Sequence, residues 1–334
     1  MENQQPIIIP PFLQAGDKVA LVSPAGCIEP ACLERGLRQL EAWGLNPQIG
    51  RHVLDRAGLF AGRRQDRLHD LQRALDDPDI KAVVATRGGY GTASLLDDLD
   101  FTAFARQPKW VVGFSDLTVL HSHLQRNLHV ASLHAAMPQT YPGPAEGCAL
   151  HGQAATPAGP GHPAVDTLHR ALFGQPLGYA ALPPHPAQRA GAARAPLIGG
   201  NLSVLYSLRG TPTDIDPAGK ILFIEDLNEL DYHIDRMLLN LYRGGWFDRL
   251  AGLVVGAFTG IRPGARPLGQ SVTETVERYV EAAYAKGARY PVYYDFPAGH
   301  IENHHALYMG VPAELRVGPS GQAASLIFDT HSNE

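Results

Sequence analysis

Between residues 18 and 133 the chain alternates short β-branched runs with segments of helical periodicity, and this alternation restricts the fold more than any other feature. Residues 18–23 (KVALVS) form a short buried strand that ends in Pro24-Ala-Gly26. A helix from about Glu29 carries Leu33, Leu37 and Leu40 on one face, and Gly44 stops it. A second helix carries Leu68, Leu71 and Leu75 and ends before Pro78. Residues 80–86 are the next strand and run into Arg87-Gly-Gly-Tyr-Gly91. A short helix near 94–99, a strand at 109–114, a helix over 117–125 and a strand near 130–133 follow. A βαβα rhythm of this kind predicts a parallel sheet with helices on both faces, and ligands bound beyond the C-terminal ends of its strands.

Two segments sit at such strand ends. Val111-Val-Gly-Phe-Ser-Asp116 runs from a β-branched strand into a glycine and then directly into a helix. A turn this tight lifts its side chain above the sheet and aims the free N–H groups of the helix at whatever binds there. Ser115 is therefore the leading candidate nucleophile. Arg87-Gly-Gly-Tyr-Gly91 brings backbone N–H groups close to a ligand, as an oxyanion hole or anion nest requires, although an ordinary strand-to-helix turn reads the same way. It is neither the spaced dinucleotide fingerprint nor a P-loop, since no lysine follows.

At 334 residues the chain suits two domains. We divide it into residues 1–140, a Rossmann-like domain; 141–196, a connection rich in Pro, Gly, Ala and His with one short helix over 165–173; and 197–334. The last part is mixed α/β and less regular. It has strands at 221–224, 251–258, 291–295, 313–317 and 323–328 and helices at 233–242 and 273–285. The expected fold class is α/β: an N-terminal Rossmann-like parallel sheet plus a smaller, β-rich mixed C-terminal domain.

A net charge of -5 and scattered Lys and Arg residues argue against a nucleic-acid surface. No apolar stretch has the length of a membrane span, and residues 6–11 (PIIIPP) are broken by proline and lack a basic leader. Three cysteines, none in a Cys-x-x-Cys pair, fit a reducing compartment better than a disulfide framework, which makes the cytoplasm the expected location.

A serine needs a base, and the base needs a group that fixes its tautomer. Of 15 histidines, His121 and His123 point apart on a helix, and His304-His305 reads as a surface turn. His300 follows a strand, Pro297 and Gly299, so its loop is held in place. Glu225 ends the buried run of residues 221–224 and must find a partner, for which Arg236 on the next helix is the structural choice and catalysis the other. Asp226 is positioned to cap the following turn.

The ordered set Ser23-Pro-Ala-Gly26, Arg87-Gly-Gly-Tyr-Gly91, Gly113-Phe-Ser-Asp116, Gly199-Gly-Asn-Leu202, Gly210-Thr-Pro212, Ile224-Glu-Asp226, Ile234-Asp-Arg-Met-Leu238 and Gly299-His300 resembles the LD-carboxypeptidase family, from about Gly16 to Val317. Two stretches depart from the family pattern: Tyr308-Met-Gly310, where many members have a proline shortly before the glycine, and the proline-rich connection over 141–196. The resemblance implies a serine peptidase with Ser115 as nucleophile, His300 as base and Glu225 as acid, and no metal or organic cofactor. It implies an oxyanion hole from the Gly89 and Asp116 N–H groups, and substrate contacts at Arg87, Gly88, Tyr90, Asn201 and Arg236. The family reaction cuts the L-to-D amide bond that releases the terminal D-alanine of murein tetrapeptides in peptidoglycan recycling. The implied partners are a small peptide substrate and a second copy of the chain in a homodimer. Two alternatives accompany this reading: a microcin-immunity-type hydrolase of aminoacyl-adenylate-like antibiotics, and a non-catalytic muropeptide-binding protein.

Overall fold

The computed structural model describes residues 6–143, Cys148 and residues 161–330. In chain order its elements are β1 (Lys18–Val22), α1 (Pro30–Ala42), β2 (Asn46–Ile49), α2 (Arg64–Asp76), β3 (Ile80–Ala85), α3 (Ala93–Leu96), α4 (Thr102–Arg106), β4 (Trp110–Gly113), α5 (Thr118–His123), β5 (Ser132–His134) and α6 (Pro163–Leu172). There follow β6 (Gly178–Leu182), β7 (Gly191–Asn201), α7 (Leu202–Ser207), β8 (Ile221–Leu227), α8 (Asp231–Arg243), β9 (Gly252–Thr259), α9 (Val272–Ala285), β10 (Val292–Tyr293), β11 (Leu307–Met309), β12 (Pro312–Val317) and β13 (Ala324–Phe328). The chain forms two compact units, Met1–Pro176 with Glu302–Tyr308, and Leu177–Ile301 with Met309–Glu334.

The first unit is built on a six-stranded sheet in the order β11-β5-β4-β3-β1-β2. Every pairing from β5 to β2 is parallel. Strands β1, β3 and β4 are buried along nearly their whole length, which is why they read as unbroken apolar runs. The edge strand β2 escaped the sequence reading because Asn46-Pro47-Gln48-Ile49 is short, largely exposed and has no apolar run. A proline is tolerated there because an edge strand does not need every N–H. The opposite edge, β11, comes from the far end of the sequence. It is fixed by the Tyr308 hydroxyl, which donates to the Ala171 carbonyl at 2.7 Å, and by the Ala306 N–H, which donates to Thr167 Oγ1 at 2.9 Å.

This returning segment corrects one expectation. His304 is only 1% exposed, not a surface residue, and its ring stacks on Phe114 at 4.6 Å between centroids. A second correction concerns the cysteines. Cys32 on α1 is disulfide-bonded to Cys148 with their Cα atoms 5.6 Å apart, leaving Cys27 as the free, buried thiol. The two half-cystines are separated by 116 residues, so their spacing in sequence carried no sign of their proximity.

The second, smaller unit holds a seven-stranded sheet, β10-β9-β8-β7-β12-β13-β6. Its β10-to-β7 half is parallel, and its β7-to-β6 half antiparallel. Burial alternates along β12, the mark of a strand with one solvated face. The core lies on the parallel half, where Ile198, Leu222 and Leu253 meet Leu202 of α7, Leu238 and Leu241 of α8 and Val276 and Val280 of α9. Helix α9 begins at a reciprocal cap in which Ser271 and Glu274 satisfy each other's backbone N–H groups. Of the expected connection, residues 144–147 and 149–160 lie outside the described residues. The remainder contains α6, β6 and the first half of β7. Among the described residues no helix is long and apolar enough to cross a membrane.

Candidate active site

Strand β4 stops at Gly113, Phe114 remains extended, and Ser115 takes φ +63° before a turn of 3₁₀ helix leads into α5. A left-handed serine between a strand and a helix is strained and persists only where its surroundings enforce it. The enforcement is visible. The Gly113 carbonyl lies 2.9 Å from His121 Nε2 on α5, and His121 Nδ1 lies 2.8 Å from the Ser132 hydroxyl on β5. Nε2 therefore carries the proton and donates it to the carbonyl, while Nδ1 accepts from the serine. Complete burial pushes the His121 pKa down to about 4 and keeps the ring neutral. The sequence reading missed this role, because a buried histidine one turn inside a helix has the same local pattern as an idle one.

The glycine loop after β3 lies against Ser115. A Cβ placed on Gly88 would come within 3.0 Å of Ser115 Cβ and 3.2 Å of its Oγ, so the bare backbone at this position is a packing requirement. The loop is tied on three sides. Gly26 N–H donates to the Gly88 carbonyl at 3.1 Å. Arg87 donates to the Cys27 carbonyl at 2.9 Å. The Thr92 N–H donates to the buried Asp116 carboxylate at 2.8 Å. Asp116 thus locks the end of the loop to the residue after Ser115, while its own N–H remains at the start of the helical turn. Gly89 and Tyr90 are exposed, and Tyr90 leans towards Phe60 with ring centroids 6.1 Å apart.

In the second unit, β8 delivers Glu225 to a site with no solvent exposure, and Oε2 lies 2.7 Å from Nδ1 of His300. His300 reaches that position through the loop after β10, whose backbone follows β9. Phe296 N–H donates to Val255, Ala257 N–H donates to Ala298, and the Thr259 hydroxyl donates to the His300 carbonyl. Gly299, at φ +122°, is needed here because a Cβ would sit 2.9 Å from Glu225 Oε2. A carboxylate only accepts, so Nδ1 holds the proton and Nε2 is left with the lone pair of a base. Arg236 does not pair with Glu225 as its spacing on the next helix had indicated. It is exposed, and its guanidinium lies 5.4 Å from the Tyr232 ring.

Asp226, also buried, points to the other side of the strand end. Its oxygens accept from Asn201 Nδ2 at 3.0 Å, from Ser203 N–H at 2.9 Å and from its neighbour Leu227 N–H at 2.8 Å. It therefore braces the start of α7, where Asn201 is the cap, and not the turn that follows it. Burial, and then the adjacent Glu225 charge, push its carboxyl up to about 7 against the pull of those donors.

The first unit presents a strained serine at a strand-to-helix turn, and the second a buried acid–histidine pair; each is a kind of group that serine-type hydrolases use. Residues 19–135 match the LD-carboxypeptidase N-terminal domain and residues 194–315 its C-terminal domain. Over 308 residues the chain is 33% identical to a probable murein peptide carboxypeptidase of Bacillus subtilis, covering 92% of this chain and 91% of that protein. It is 34% identical over 313 residues to the murein tetrapeptide carboxypeptidase of Pseudomonas aeruginosa, covering 89% and 92%. Among solved structures, muramoyltetrapeptide carboxypeptidase from Oxalobacter formigenes superposes with a TM-score of 0.75 at 26% identity, over 93% of this chain and 98% of that one. The microcin C7 self-immunity protein MccF shares the fold, with a TM-score of 0.79 at 18% identity over 97% and 99%. The chain belongs to the LD-carboxypeptidase family and is a serine-type hydrolase of that kind.

Proposed function

We propose that this carboxypeptidase hydrolyses the L-to-D amide bond that releases the terminal D-alanine of murein tetrapeptides, with Ser115 as nucleophile, His300 as base and Glu225 as orienting acid. The observation that carries the residue assignment is the 2.7 Å contact between Glu225 and His300, both shut away from solvent and with no Lys or Arg paired to the acid among the described residues. The substrate reading is supported by relatives named as murein peptide carboxypeptidases that match nine-tenths of the chain.

His300 Nε2 takes the Ser115 proton as Oγ attacks the carbonyl of the L-centre before the terminal D-residue. Glu225 holds the ring and stabilises the imidazolium that forms. The negative oxygen of the tetrahedral intermediate is received by the N–H groups of Gly89 and Asp116. His300 then returns the proton to the departing amine of D-alanine. Water, deprotonated by the same nitrogen, cleaves the acyl-enzyme and frees the shortened peptide. Arg87, Gly88, Tyr90, Asn201 and Arg236 are the proposed substrate contacts. The proposed setting is peptidoglycan recycling in the cytoplasm, by a homodimer. It rests on the family resemblance, because the Cys32–Cys148 bond removes the argument from cysteine usage.

The test is mass spectrometry of a mixed muropeptide digest after incubation with the protein. Loss of one terminal alanine from tetrapeptides alone is expected. No loss, or cleavage of an aminoacyl sulfamoyl adenosine with muropeptides untouched, overturns the reading.

A further inference from the structure

We propose that the turn after β2 and one face of α2 form a binding site for a divalent transition-metal ion, Zn²⁺ by the chemistry of its donors, with His52, His69 and Asp70 as ligands and Asp55 orienting His52. One donor atom from each of His52, His69 and Asp70 lies within 4.8 Å of the other two. His69 and Asp70 extend from consecutive positions of α2 towards the turn that follows the edge strand, where His52 resides.

Asp70 is the fixed member. Its side chain is 5% exposed, and Oδ2 accepts the His52 N–H at 2.7 Å. Gly50 closes over it, since a Cβ there would meet Oδ2 at 2.7 Å. The other oxygen, Oδ1, has His69 Nδ1 at 3.4 Å, too long for a strong hydrogen bond. Among the described residues no Lys or Arg forms an ion pair with this carboxylate. A buried acid without a fixed cation calls for one.

His52 is already set as a ligand. Its Nδ1 lies 2.7 Å from Asp55 Oδ2, which places the proton on Nδ1 and leaves the Nε2 lone pair for a metal. A carboxylate on the far nitrogen is the usual outer partner of a metal-binding histidine. The rings of His52 and His69 stand edge to face at 82°, not stacked, with centroids 6.2 Å apart. Ligand atoms around a tetrahedral ion lie about 3.3 Å apart at Zn–N distances near 2.0 Å. His69, with a side chain 59% exposed, is free to make that closure. Asp66 also lies near His52, but Arg63 holds its carboxylate at 2.8 Å and 3.0 Å, so it is not counted as a ligand. Two imidazoles and one carboxylate favour Zn²⁺, Co²⁺ or Ni²⁺ over Mg²⁺ or Ca²⁺ and leave a position for water.

The experiment is titration of the dialysed full chain with Zn²⁺ by calorimetry, and with Co²⁺ by its visible spectrum. One ion per chain that saturates below about 100 µM is expected, a modest affinity for three ligands. His52→Ala and His69→Ala should each weaken binding at least about tenfold, and Asp55→Asn by about tenfold through the tautomer alone. His69 is exposed, so its variant keeps the fold, which circular dichroism checks. No saturable binding by about 100 µM, or an unchanged affinity in either histidine variant, overturns the site.

Discussion

His300 Nδ1 and Glu225 Oε2 are 2.7 Å apart, with side-chain exposures of 4% and 0%. A buried pair this close couples two properties that are usually separate. The acid selects the tautomer of the base, and the base is the acid's counter-ion whenever it is protonated. Glu225→Gln should therefore lower kcat by about 10⁴, because an amide can hold the ring in the wrong tautomer. Asp226→Asn, one residue away, should lose far less. Steady-state release of D-alanine from a tetrapeptide compares them, and the reverse order places the orienting acid at the wrong residue.

Ser115→Ala should retain the fold and lose at least about 10⁴ in turnover. The substitution removes only the hydroxyl and keeps the Cβ that lies against the glycine loop. Circular dichroism and a fluorophosphonate label read the two properties independently. Substantial residual activity, or labelling at another serine, removes Ser115 from its role.

Gly88→Ala separates geometry from chemistry. The new methyl would lie 3.0 Å from Ser115 Cβ, so Ser115 or the loop must shift by a few tenths of an ångström. Misplacement on this scale costs up to about 10² in kcat with every reacting group still present. The expected result is a large fall in kcat with a small change in melting temperature. A variant with wild-type kcat would show that the loop yields without cost.

The carboxyl of Asp226 is raised to about 7 in the folded chain, against about 3.9 in an unfolded one. Between these values the folded state holds a proton that the unfolded state has released. Its contribution to stability is complete below about pH 4 and is lost as pH rises through about 7. Urea unfolding at pH 5 and pH 8 should show the wild type losing more stability than Asp226→Asn, by up to about 1.4 kcal/mol for each unit of pH inside that window. Parallel losses in the two proteins would mean that Asp226 is ionised throughout.

The Cys32–Cys148 bond predicts a labelling pattern. Denatured, unreduced protein should accept one alkyl group, at Cys27, and reduced protein three. Closing a loop of 116 residues stabilises a fold by up to about 4–5 kcal/mol through the unfolded chain, so reduction should lower the melting temperature by several degrees. Three labels without reductant would refute the bond.

Local pattern was enough for a large part of this molecule. The buried runs of β1, β3, β4 and β8 and the leucine spacing of α1 and α2 are written residue by residue, because a sheet covered on both faces admits few polar side chains. The turn at Ser115 was legible for the same reason, since a strand must end where a glycine and a helix start follow. The apolar run leading up to Glu225 was legible too, although β8 continues through Leu227 and so contains the acid instead of ending before it. Position in sequence did not reveal that Glu225 would meet His300, 75 residues later, in preference to Arg236, nor that Cys32 would meet Cys148. It also did not reveal that residues 302–308 would return to the first sheet and bury His304 against Phe114. Helical and strand propensities are properties of neighbours along the chain. Partnerships between buried polar groups are decided by which strand ends the tertiary fold brings together, where each unpaired charge or thiol must take the partner that packing leaves within reach.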